Sequence, residues 1–192
     1  MRKKTCAEMR ETMNIVVITG ASSGIGREFA MQLDRGLHSV DEFWLIARRG
    51  SRLKEIASSM QHTVKILPLD LTNEADMTVL TESLAEEKPV VRMLINCAGY
   101  GMMGDFTTVP IKEQTGEVDL NCRALLEVTY GCLPYMRAKS RIIQLASSAA
   151  FLPQPGFSVY AATKSFVLSF SKALRAELKE RQIYVTAVCP GP

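Results

Sequence analysis

The chain has 192 residues, 47% hydrophobic and 22% charged, which is the length of about one domain and a composition that excludes disorder and collagen-like repeats. Lys and Arg total 23 against 20 Asp and Glu, a formal charge of +3. That charge gives no reason to expect a nucleic-acid or anionic-membrane partner, and no apolar run approaches the roughly 18 residues of a membrane span.

Residues 1–12 are polar, lack the apolar centre of a secretory signal, and read as an N-terminal extension. A single domain is expected over residues 13–192. The five cysteines, Cys6, Cys97, Cys122, Cys132 and Cys189, are odd in number and show no C-x-x-C spacing. This argues against a disulfide framework or structural zinc and for reduced thiols in the cytoplasm. The two histidines, His38 and His62, lie far apart, and no metal site is expected.

From residue 15 onward, short apolar runs alternate with longer mixed segments. Residues 15–18 form the first strand, and 24–33 read as a helix. Strand 43–46 precedes helix 52–60, strand 64–69 precedes helix 74–87, and strand 91–95 precedes a long helix over 112–138. Strand 142–145, helix 159–181 and strand 183–188 complete the pattern. Continuous Val- and Ile-rich runs are how strands read when both faces are covered. Strand–helix alternation with right-handed crossovers predicts an α/β fold, a doubly wound parallel sheet.

In such a sheet, ligands bind beyond the carboxyl ends of the strands. All six ends here carry glycine, a hydroxyl, a charge or an amide. After the first strand come Gly20, Ser22, Ser23, Gly24, Ile25 and Gly26. Glycines between a buried strand and a helix permit a tight turn and a close backbone approach to a pyrophosphate, which the helix N-terminus then faces. No Gly-Lys-Ser/Thr follows, which excludes a Walker-type loop. Where an NAD-binding fold places a ribose-binding acid, about 20 residues on, this chain has Arg48 and Arg49. A guanidinium pairs with a 2′-phosphate, whereas a carboxylate repels it, so NADP(H) is expected over NAD(H).

Tyr160 and Lys164 stand four apart and share a helix face. A fixed positive charge beside a phenol favours its ionised form, which suits proton exchange with an alcohol or carbonyl oxygen. Ser147 precedes them at the end of the fifth strand, and Ser148 is the alternative serine.

Thr19-Gly20-x-x-x-Gly24-x-Gly26, Asn96-x-Ala98-Gly99, Ser147, Tyr160-x-x-x-Lys164 and Pro190-Gly191 occur in this order. Together they resemble the short-chain dehydrogenase/reductase family over about residues 14–192. The resemblance implies a Rossmann-type sheet of strand order 3-2-1-4-5-6, with the family's usual seventh strand missing and the domain C-terminally incomplete. It implies Tyr160 as general acid/base, Lys164 supporting it and holding the nicotinamide ribose, Ser147 orienting the substrate oxygen, and Asn121 as a fourth catalytic residue holding a relay water. Asp70 and Leu71 would meet the adenine, and Asn96 would brace the central strand. Ala98, Gly99, Pro190 and Gly191 would complete the cofactor site. The family often has a second asparagine where this chain has Cys97. The expected function is hydride transfer between NADP(H) and a small carbonyl or alcohol substrate. The alternative is a catalytically silent NADP(H)-binding regulator or scaffold. A homodimer or homotetramer paired through the two long helices is also expected.

Overall fold

The computed structural model describes residues 13–191. The expected extension, Cys6 and Pro192 lie outside them. Six strands form one parallel sheet: β1 (Asn14–Thr19), β2 (Glu42–Ile46), β3 (Thr63–Leu67), β4 (Val90–Asn96), β5 (Arg141–Leu145) and β6 (Tyr184–Val188). Their order is β3-β2-β1-β4-β5-β6, every neighbouring pair being parallel. Reversal of the winding at β1 opens a crevice between the carboxyl ends of β1 and β4, where such sheets bind ligands.

The period of two along β1 explains the continuous apolar runs. Ile15 and Val17 join one core with Leu80 and Leu84 of α3 (Glu74–Glu87), Val128 and Cys132 of α5 (Leu125–Cys132), and Leu174 of α6 (Ser158–Glu177). Val16 and Ile18 join the opposite core with Ala30 of α1 (Gly24–Gly36) and with Leu53 and Ile56 of α2 (Gly50–Ala57). With helices on both faces, an alternating polar residue would be buried unpaired.

Helix α3 runs over the expected residues because Asn73 caps it, its side chain accepting from the amides of Ala75 and Asp76. Several expected boundaries shift, α1 running on to Gly36 and α2 spanning Gly50–Ala57. Strand β3 stops at Leu67, since Pro68 has no N–H to extend the ladder. Helix α6 stops at Glu177, and Gln182 turns the chain toward β6 with a φ of 55°. The single helix expected over 112–138 is four pieces: α4 (Ile111–Val118), a π-helical turn (Asp119–Ala124), α5, and a 3₁₀ turn (Leu133–Tyr135). Pro134 sits in that last turn, where its missing N–H breaks no helical ladder.

Away from the crevice, α1 is tied to the chain entering β3 by Asp34, which is 2% exposed. Its carboxylate accepts from the amides of Gln61 and His62 and pairs with His62 Nδ1 at 2.8 Å. Burial opposes its ionisation, but these bonds outweigh burial and hold its pKa below the usual value.

Candidate active site

The turn from β1 into α1 is built on glycine. Gly20 has a φ of +66°, and a methyl there would stand 2.7 Å from the Ala98 amide nitrogen and 2.8 Å from the Cys97 carbonyl carbon. A methyl on Gly26 would collide with the Gly20 carbonyl oxygen. Thr19 fixes this crossing, its hydroxyl accepting from the amides of Cys97 and Ala98 at 3.1 Å each. Gly24 has a φ of +53° and nothing within 4 Å of its open side.

This turn walls a cleft of about 700 Å³. Its other walls are Arg48 and Arg49 after β2, Asp70 to Thr72 after β3, Cys97 to Tyr100 after β4, and the segment from Lys112 to Leu120. Arg49 Nη2 donates to Ser22 Oγ at 3.0 Å and to Ser23 Oγ at 2.7 Å. Arg48 extends into solvent, 4.0 Å from Asp70 Oδ2. Asp70 accepts from the amide and hydroxyl of Thr72, and Arg123 Nη2 holds the Thr72 carbonyl. Burial raises the Asp70 pKa, but the Thr72 bonds and Arg48 outweigh it and leave it lowered.

At the base of the crevice Asn96 is 3% exposed. Its Nδ2 donates to Thr129 Oγ1 and Gln144 Oε1, both at 3.0 Å, which ties β4 to α5 and β5.

Lys164 and Asn121 meet beside Gly99, where a methyl would lie 2.7 Å from Asn121 Oδ1 and 3.4 Å from Lys164 Nζ. Asn121, 1% exposed, sits in the π-helical turn. Such turns insert one residue into a helix and recur at functional sites. Its Oδ1 accepts from the Tyr100 amide at 3.0 Å, and its Nδ2 donates to the Tyr100 carbonyl at 2.8 Å and to Thr163 Oγ1 at 3.0 Å. Lys164 Nζ donates to the Leu145 carbonyl at 2.8 Å and lies 5.5 Å from the centre of the Tyr160 ring. Burial pushes the Lys164 pKa down, with the Cys122 and Cys97 thiols opposing. The Tyr160 ring stacks on Phe157, centroids 4.2 Å apart.

Ser147 is 9% exposed, and its hydroxyl accepts from the Ala149 amide at 3.2 Å. Ser148 is exposed, and its amide donates to the Pro190 carbonyl at 2.9 Å, which sets Pro190 and Gly191 beside the serines. Ser147, Tyr160, Lys164, Pro190 and Gly191 lie outside the cleft's lining. The two groups adjoin at Leu145, which lines the cleft and accepts from Lys164.

Residues 14–192 match the family described as short chain dehydrogenase. The chain belongs to the short-chain dehydrogenase family. A family relative, sulfoacetaldehyde reductase 2 of Chromohalobacter salexigens, is 34% identical over 185 residues, 93% of this chain and 72% of the relative. Among solved structures, the short-chain dehydrogenase of Sphingobium yanoikuyae in complex with NADPH superposes with a TM-score of 0.83 at 33% identity, covering 93% of this chain and 71% of that one. The bulky-bulky ketone specific alcohol dehydrogenase of Comamonas testosteroni gives a TM-score of 0.83 at 31% identity, covering 94% and 73%. As a short-chain dehydrogenase this chain is an oxidoreductase by family.

Sequence reasoning did not assign Thr163, Arg123, Glu117 or Tyr100 to the site. Thr163 offered a signal, a hydroxyl inside the Tyr160-x-x-x-Lys164 run. Arg123 and Glu117 offered none, since charged residues in a mixed helix read as solvated.

Proposed function

We propose that this short-chain dehydrogenase is an NADP(H)-dependent carbonyl reductase or alcohol dehydrogenase with Tyr160 as general acid/base. The observation that carries the reading is the meeting of Lys164 and Asn121 beside Gly99, with the Tyr160 ring centre 5.5 Å from Lys164 Nζ, next to the cleft under the glycine turn. The cleft fits a dinucleotide. Its volume of about 700 Å³ is in the usual range for ligand sites. The open side of Gly24 leaves backbone N–H groups at a helix N-terminus accessible to a pyrophosphate.

When bound, NADP(H) supplies or accepts the hydride. The chain's own residues handle orientation and the proton. Tyr160 exchanges a proton with the substrate oxygen, and Ser147 holds that oxygen. The Lys164 ammonium stabilises charge developing on the phenol, while its bond to Leu145 keeps it pointed at the cleft wall. Asn121 locks the Tyr100 backbone and Thr163, the residue before Lys164. Asp70 and Leu71 form the adenine wall. NADPH turnover against a panel of aldehydes and ketones tests the reading, and NADPH binding without turnover of any of them favours the silent nucleotide-binding alternative.

The preference for NADP(H) rests on Arg49 anchored to Ser22 and Ser23, with Arg48 beside them. Losing one charge-assisted contact to a 2′-phosphate costs about 1.5–3 kcal/mol. Arg49→Ala is therefore expected to weaken NADPH binding roughly tenfold to a hundredfold and to leave NADH binding unchanged. Fluorescence titration with both cofactors checks this, and wild-type protein that binds them equally contradicts it.

An apolar groove between α4 and α6, lined by Phe106, Val118, Cys122 and Val159, supports a pairing face for a second copy of the chain. Val118 and Phe106 are exposed there. Light scattering at twice the 21.2 kDa chain mass is expected, and a monomer mass refutes it. No helix among the described residues is long and apolar enough to cross a membrane. The free thiols of Cys97, Cys122, Cys132 and Cys189 support a reducing, cytoplasmic setting, which cell fractionation checks.

A further inference from the structure

Glu117, in the last turn of α4, is 1% exposed. One of its oxygens, Oε1, accepts from the Met102 amide at 2.6 Å. The other, Oε2, is buried and has no partner among the described residues. Buried polar atoms are nearly always paired, and an orphan asks for an explanation. A leucine would fill this position without an orphaned oxygen, so packing does not account for a carboxyl group here. Burial pushes its pKa up, nearby Glu113 adds to that, and the Met102 bond opposes.

The partner it grips lies two residues from a second grip. One helical turn after Glu117, Asn121 holds both the amide and the carbonyl of Tyr100. The two side chains therefore seize the backbone on either side of Gly101. That glycine sits against the aromatic pair. A methyl on it would collide with Tyr160 Cδ2 and come within 2.8 Å of Phe157 Cε2 and Cζ. Phe157 and Tyr160 are stacked, so the placement of the Gly101 peptide sets where the pair can lie.

We infer that Glu117 is a positioning residue for Tyr160. With Asn121 it clamps the backbone around Gly101 and holds that glycine against the Tyr160 ring. The consequence for chemistry rests on the reading of Tyr160 as the acid/base group. Glu117 is not itself a lining residue of the cleft, and among the described residues its side chain's hydrogen bond is to the Met102 amide. It acts through Met102 and Gly101.

The test uses the full chain with ring-labelled tyrosine. The Tyr160 NMR signal is assigned by its disappearance in Tyr160→Phe. In Glu117→Leu, which cannot accept the Met102 bond, the Tyr160 signal is expected to shift or broaden. In Glu117→Gln, which keeps an acceptor of the same shape, it is expected to return to the wild-type position. In turnover, Glu117→Leu is expected to lower kcat on the order of tenfold to a hundredfold, the scale of a small misplacement of a reacting group. KM for the carbonyl substrate and NADPH affinity should stay unchanged, and Glu117→Gln should rescue kcat. An unmoved Tyr160 signal in Glu117→Leu overturns the inference, as does equal movement in both variants. Glu117→Met is the second variant without an acceptor, and if neither it nor Glu117→Leu folds, Glu117 is a structural residue and the inference falls. Failure of the underlying reading looks different: Tyr160→Phe would keep full kcat, whatever the ring signal does in the Glu117 variants.

Discussion

Replacing Tyr160 with phenylalanine is expected to lower kcat by roughly 10²–10⁴, the range for loss of a positioned proton donor, while NADPH affinity and thermal stability hold. The separation follows from the packing. Phenylalanine keeps the ring that stacks on Phe157 and packs against Gly101. No hydrogen bond within the chain involves the Tyr160 hydroxyl among the described residues, so its removal orphans no buried partner. Lys164 keeps its bond to the Leu145 carbonyl. What disappears is the hydroxyl of the ring whose centre lies 5.5 Å from the Lys164 ammonium. Steady-state kinetics with cofactor titration measures both quantities. A variant that loses cofactor affinity in step with kcat would mean that the tyrosine is a binding residue.

The second large effect is at Gly20. Gly20→Ala is expected to cost about 2–5 kcal/mol, from the left-handed backbone together with overpacking, and to abolish NADPH binding. The backbone that the methyl would strike has little room to retreat. The amides of Cys97 and Ala98 are both held by the Thr19 hydroxyl, and the other side of Gly20 is pressed by Gly26. Gly36→Ala is the control, since nothing lies within 4 Å of its missing side chain. There the change is expected to be neutral or mildly stabilising, because alanine loses less backbone entropy on folding. Denaturant unfolding with NADPH titration distinguishes the two, and a Gly20→Ala protein that binds NADPH normally refutes the account of the turn.

Much of this architecture is legible in the sequence for a physical reason. Strands covered on both faces must be apolar at successive positions, so β1, β2 and β4 stand out as runs. The crossover rule then limits how they can be ordered. The residues at the strand ends are legible because glycine, arginine and asparagine have little reason to cluster at one edge of a sheet without a ligand. Other features carry no such signal. The π-helical turn is invisible because residues 119–124 contain no proline or glycine to mark a break, and only the bonds of Asn121 show why the helix widens there. Glu117 reads as a surface acid until its burial is seen. The grip of Arg123 on Thr72 depends on two segments distant in sequence, and no local pattern announces it. Pro68 could have been read as the end of β3, since proline cannot donate to a ladder.

The most direct test of the central claim follows the hydride itself. NADPH deuterated at the nicotinamide C4 is mixed with the protein and a panel of aldehydes and ketones, and the products are analysed by mass spectrometry. The account predicts an alcohol carrying deuterium on its carbinol carbon with wild-type protein and almost none with Tyr160→Phe. Tight NADPH binding with no deuterium in any product, or equal transfer by Tyr160→Phe, would contradict it.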